Sequence, residues 1–142
     1  MSRTPAATPT RRLVLVLGDQ LWLDNPALAG FDPACDRVLM IEAEGESTGV
    51  WSHKARVVLF LSAMRHFGAQ LEALGWPVDY LRLEDDTHPD SFADRLAAML
   101  ARHRPQALRV CEPGEWRMLG LLQLAAGAAG VALEVPQDTH FL

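Results

Sequence analysis

With 142 residues, 49% of them hydrophobic, the chain is sized for one compact domain with a proper core. Thirteen basic residues against 18 acidic ones leave a net charge of -5, which argues against direct nucleic-acid binding, because neutralising phosphates requires a clustered positive surface. Cys35 and Cys111 stand far apart without CxxC or Cys/His spacing, so neither a zinc site nor a self-contained iron–sulfur cluster is supported, and both read as thiols of a reducing cytoplasm.

Residues 1–11 carry Pro and Thr but no apolar stretch of the kind a signal peptide needs, and they read as a disordered tail. The run from Leu13 to Leu17 then places five aliphatic residues in succession, the pattern of a strand covered on both faces in a parallel sheet. Gly18 breaks that strand, and Asp19 and Gln20 follow it. An acid and an amide therefore stand where open α/β sheets bind ligands, in the crevice beyond the strand ends.

Leu23 to Pro33 is rich in turn residues, with a short helical turn expected at Ala27–Ala29, and reads as a long surface loop. Arg37 to Ala43 is a second buried strand that ends in acids at Glu42, Glu44 and Glu46. A long helix is expected from Ser52 or His53 to Leu74. Gly75 and Pro77 supply its stop, and Phe60, Met64, Phe67, Leu71 and Leu74 form a stripe to lie on the sheet. The segment Val57–Leu61 is apolar on all sides and calls for cover on its second face as well.

Pro77 to Leu83 alternates as an edge strand does. An acidic loop leads to a helix from Asp90 or Ser91 to Arg104, with Phe92, Leu96, Met99 and Leu100 inward and arginines outward. Ala107 to Cys111 is a fourth strand, and the acid-bearing turn Glu112-Pro113-Gly114-Glu115 follows it. A last helix, Glu115 to Ala129, has almost no charge after Arg117 and again exceeds what one sheet contact buries. At its start Trp116 reads as a core anchor or as a ligand wall. Val131 to Pro136 completes five strands. The order of elements predicts an α/β, doubly wound, Rossmann-like five-stranded parallel sheet of strand order 3-2-1-4-5, with its crevice between strands 1 and 4. The longest uncharged run, Met118 to Leu133, is shorter than the roughly 20 apolar residues of a membrane span.

The fingerprint G-x-G-x-x-G is absent after the first strand and no P-loop exists, so dinucleotide binding is disfavoured. Asp19, Gln20, Glu42 and Glu46 offer acceptors and one amide, suited to the N–H and hydroxyl groups of a heterocycle bearing a polyol, and solvated loop residues are the plain alternative. His53 can orient a ligand, pair with Glu46, or stand as a surface residue. The histidines form no metal-ligand spacing and no serine has a base beside it.

Gly18-Asp19-Gln20-Leu21 after a buried strand, His53-Lys54, the run Leu59 to Phe67, and Glu112-Pro113-Gly114-Glu115-Trp116-Arg117 together resemble the amino-terminal domain of the photolyase/cryptochrome-related family. The resembling branch is the bacterial iron–sulfur one, which includes prokaryotic (6-4) photolyases, and the resemblance runs from Arg12 to Leu142. It implies an antenna domain over residues 12–136, with 137–142 opening a connection to a helical flavin domain that is absent from these residues. In such proteins the α/β domain holds 6,7-dimethyl-8-ribityllumazine, which passes excitation to FAD, while the FAD and the iron–sulfur cluster belong to the helical domain. Carried over, the pigment site comprises Gly18, Asp19, Gln20, Glu42, Glu46, Thr48 and His53. Photorepair by these residues alone is not expected. The rival expectations are a free-standing nucleoside-binding α/β module and an interaction module that dimerises through its apolar helices.

Overall fold

The computed structural model describes residues 10–42, 54–82 and 92–137. Five strands, β1 (Arg12–Leu15), β2 (Asp36–Ile41), β3 (Val78–Leu81), β4 (Ala107–Val110) and β5 (Ala132–Glu134), form one parallel sheet in the order β3-β2-β1-β4-β5. Helices α1 (Lys54–Ala73), α2 (Phe92–His103) and α3 (Trp116–Ala129) make the crossovers. The expected doubly wound architecture and strand order are the ones observed.

Because crossovers between parallel strands are right-handed, the one that moves outward to β3 and the ones that move the opposite way to β4 and β5 must lie on opposite faces. The core divides accordingly. Leu13, Leu15, Leu39, Leu108 and Val110 pack with Leu96 and Leu100 of α2 and with Met118 and Leu122 of α3. Val14, Val16, Val38 and Met40 pack with Met64, Phe67 and Leu71 of α1. β1 lies at the centre of the sheet, so its aliphatic run is buried on both faces. The run stays extended past the end of the strand, with the Val16 N–H donating to the Leu39 carbonyl at 3.0 Å.

Where no helix joins β1 to β2, the intervening loop covers the sheet instead, and the expectation of a surface loop is corrected. Asn25, Ala27 and Leu28 are buried. Asn25 caps a 3-10 turn at Pro26–Leu28, receiving the Ala27 N–H at 2.8 Å and donating Nδ2 to the Gln20 carbonyl at 3.0 Å. Phe31 stacks on Trp76 at 4.2 Å, tying this loop to the end of α1.

Three further expectations change. Leu74 is 55% exposed rather than part of the α1 stripe, because α1 ends at Ala73 and Gly75 turns the chain away at φ 85. Arg95 is buried, not outward: its Nη1 donates to the Arg82 carbonyl at 2.8 Å and to the Glu42 carbonyl at 3.4 Å, supplying donors at the ends of β3 and β2. Trp116 is 81% exposed and anchors nothing in the core. Val58 and Leu59 on α1 and Leu124 on α3 are also exposed, which is the uncovered apolar surface expected of both helices. Among the described residues no helix is long and apolar enough to cross a membrane.

Candidate functional site

The strand order reverses between β1 and β4, so the chain leaves their carboxyl ends in opposite directions and opens a crevice there. The turn after β1 is closed by the Gln20 N–H donating to the Leu17 carbonyl at 2.9 Å. Gly18 gives the Phe60 ring of α1 room against this turn, since a Cβ at that position would run into the far end of the ring unless it turned aside.

Gln20 is 4% exposed and reaches across the crevice. Its Nε2 donates to the Cys111 carbonyl at 3.0 Å and to the Glu112 carbonyl at 3.4 Å, joining the end of β1 to the end of β4. Both bonds need a donor, so the amide orientation is determined and Oε1 is left as the acceptor. That oxygen is buried and has no hydrogen-bond partner among the described residues. A buried acceptor without a donor is costly, and a bound donor would satisfy it.

Asp19 lies between Gly18 and Gln20 in the same turn. It lines a cavity of about 180 Å³ together with Leu17, Pro113, Gly114, Glu115 and Met118. Asp19 is exposed, but desolvation of its carboxyl where it lines the cavity raises its pKa above the ordinary carboxylate value, its own backbone hydrogen bond lowers it, and the charge of Glu115 raises it. Glu115 occupies the position before α3, and its side chain makes no capping hydrogen bond. The cavity is smaller than the roughly 300–1,000 Å³ of ordinary small-molecule sites. Its charged lining consists of the carboxylates of Asp19 and Glu115.

Glu42 does not line that cavity. It is 1% exposed, and its carboxylate receives Arg65 Nε at 2.7 Å, Arg65 Nη2 at 2.9 Å and the Tyr80 hydroxyl at 2.5 Å. Burial, and then the hydrogen bond to Glu42, push the Tyr80 pKa well up, so the phenol stays a donor. These bonds tie the end of β2 to α1 and to β3. Of the expected site residues, Gly18, Asp19 and Gln20 come together at the crevice, and Glu46, Thr48 and His53 lie outside the described residues. Glu115, which the sequence places in the acid-bearing turn after the fourth strand and not among the expected pigment-site residues, lines the cavity. The turn Glu112-Pro113-Gly114-Glu115 at the end of β4 was the signal for it. Among the described residues no group of three His, Cys, Asp or Glu side chains could hold a metal ion.

Fold and site define a doubly wound α/β domain with an acid and an amide at its switch point. Residues 14–142 match the family model described as deoxyribodipyrimidine photo-lyase-related protein, and the chain belongs to that family. A (6-4) photolyase of Agrobacterium fabrum (strain C58) is 36% identical over 131 residues, covering 92% of this chain and 26% of its own. The chain thus spans about a quarter of the length of that relative. The solved structure of GalB, the 4-carboxy-2-hydroxymuconate hydratase of Pseudomonas putida KT2440, aligns with 82% of this chain and 55% of its own at TM-score 0.48 and 19% identity, a likeness too slight to bear on fold or function.

Proposed function

We propose that this chain is the pigment-holding α/β domain of a photolyase-like flavoprotein, and that its task is to seat an antenna chromophore rather than to make or break bonds. The observation that carries this reading is the buried Oε1 of Gln20, an acceptor with no donor among the described residues, together with the cavity that Asp19 and Glu115 line in the turns after β1 and β4. Such a set fits a ligand that donates O–H and N–H groups and carries no phosphate. 6,7-Dimethyl-8-ribityllumazine, with its ribityl hydroxyls and ring N–H, is of that kind. Its residence would also relieve the cost of the unpaired amide oxygen.

When bound, the pigment would absorb blue light and pass the excitation to a flavin. The residues of this chain bind and orient it: Gln20 holds the two strand ends at a set distance, and Asp19 accepts from the polyol. The FAD, the iron–sulfur cluster and the light-driven lyase step of such a protein would reside in a helical flavin domain outside this chain. A phosphate-free nucleoside could use the same acceptors, and the test below separates the two ligands.

Purified protein mixed with 6,7-dimethyl-8-ribityllumazine and passed through gel filtration is expected to elute with the pigment's absorption band. Asp19→Ala should weaken retention at least about tenfold while the melting temperature stays close to wild type. Well-folded protein that elutes without pigment, or an Asp19→Ala variant that retains it unchanged, would overturn the assignment, and retention of a nucleoside instead would replace it.

A further inference from the structure

β3 is the end strand of the sheet, so among the described residues it is paired on its β2 side alone. The carbonyls of Pro77 and Leu81 accept from the Val38 and Glu42 N–H groups, each at 2.9 Å. Successive residues of a strand turn their backbone groups to opposite sides, so Val78 and Tyr80 direct theirs away from β2. Sheet edges are commonly guarded by a proline, a lysine or another free charge within the strand. Between Val78 and Leu81 the one charged residue is Asp79, and both of its oxygens accept from Arg37, at 3.1 and 2.9 Å.

Beside this edge lies a cleft of about 380 Å³ between α1 and β3. Gly68 and Ala69 of α1 keep it open over the Tyr80 ring, to which a Cβ on Gly68 would come within 3.1 Å. Its charges are sorted by end. The crossover helix α1 returns the chain across a parallel sheet and so runs antiparallel to β3. Glu72, in the last turn of α1, therefore stands at the Val78 end of the cleft, and Arg65, earlier in the helix, at the Arg82 end. Glu72 and Arg82 are both exposed, whereas Arg65 is engaged by Glu42.

We propose that β3 pairs antiparallel with β3 of a second copy of this chain, joining two five-stranded sheets into one across a two-fold axis normal to the sheet. Placing Tyr80 opposite Tyr80 joins their outward N–H and carbonyl groups in both directions and sets Val78 beside Arg82 on each side of the axis. The Arg82 end of each cleft then meets the Glu72 end of the other, so opposite charges come together twice by symmetry. Moving the axis to Asp79 would instead set like charges opposite one another. An unrelated extended peptide would have to bring both charges in the right order, whereas a second copy carries them in its own cleft. The pairing does not depend on the pigment reading.

The test is sedimentation of the 142-residue protein over a range of concentrations, with amide exchange followed at the same concentrations. A reversible dimer is expected, and the Val78 and Tyr80 amides should gain protection as it forms. Val78→Pro removes an outward N–H and sets a ring on the open edge while sparing the bonds to β2, and should weaken the dimer at least about tenfold. Glu72→Arg, which brings cations together, should weaken it as well, and the double variant Glu72→Arg/Arg82→Glu, which exchanges the charges of the two ends, should restore it. Thermal unfolding of each variant shows whether it folds. A protein that is monomeric at every concentration overturns the proposal, and so does a double variant no better than Glu72→Arg. A dimer that ignores Val78→Pro and is broken by Leu124→Glu also overturns it, since α3 then forms the interface. Protection of the Val78 and Tyr80 amides in the monomer has the same consequence, because residues of the same chain then cover the edge.

Discussion

At Gly18 a single missing side chain lets a helix and a turn touch. Gly18→Ala sets a methyl group against the far end of the Phe60 ring, and displacing that half-buried ring from its place should cost about 1 kcal/mol, the low end of overpacking. Chemical denaturation should show that loss, and most of it should return in the double variant with Phe60→Ala relative to Phe60→Ala alone. A cycle with no coupling would mean that the ring does not bear on Gly18. Glu42 makes a related point about charge. Tyr80→Phe removes one of the bonds to a buried carboxylate and should cost about 1–2 kcal/mol, whereas Arg65→Ala removes its counter-charge and should cost more. The reverse ranking in urea unfolding would contradict the network described.

The acid groups also set the pH dependence. Burial alone would raise Asp36 and Asp79, but the guanidinium groups of Arg11 and Arg37 outweigh it and bring both below the ordinary carboxylate value of 3.8. A depressed folded-state pKa contributes stability that is present above that value and is lost as pH falls through the lower folded value. Unfolding midpoints should therefore drop as the pH goes below about 4, and Asp36→Asn should flatten that drop. Asp19 works in the opposite sense. Its raised pKa opposes folding once it ionises, so Asp19→Asn should be neutral or stabilising at pH 7 and without effect well below pH 4.

Among the elements, α2 shows how far pattern reading goes. Its apolar positions Phe92, Leu96, Met99 and Leu100 all reached the core as their spacing required. Arg95 did not follow the rule that arginines face outward. A helical pattern cannot show that the carbonyls of Arg82 and Glu42, far away in sequence, end next to that turn of the helix and need a donor. The end of α2 carries a separate cost. Arg104 at φ 45 occupies a position where glycine is favoured, and Arg104→Gly should raise stability by about 0.5–1 kcal/mol. A loss of stability on that substitution would show that the guanidinium supports the fold itself. The loop between β1 and β2 was misread for a comparable reason. Its turn residues mark it as a loop, but burial of Asn25, Ala27 and Leu28 depends on packing beside α1 on the face of the sheet that carries Val14, Val16, Val38 and Met40.

At the level of the whole molecule, the parallel five-stranded sheet and its order were legible because two purely local signals agree. Uninterrupted aliphatic runs mark strands buried on both faces, and the helices between them can return the chain only with one hand. The surplus of apolar residues on α1 and α3 was legible in the same way, since more faces were apolar than one sheet could cover. Proximity was decided elsewhere. The sequence by itself placed Asp19 and Gln20 at a strand end and Glu42 at another, as equals. Only the tertiary structure turned Glu42 to meet Arg65 and Tyr80, brought Glu115 to Asp19, and left Gln20 Oε1 buried with no donor among the described residues. The physical reason is that periodicity records which face of an element is dry, whereas the pairing of polar groups from different elements depends on where the packed layers finally bring them.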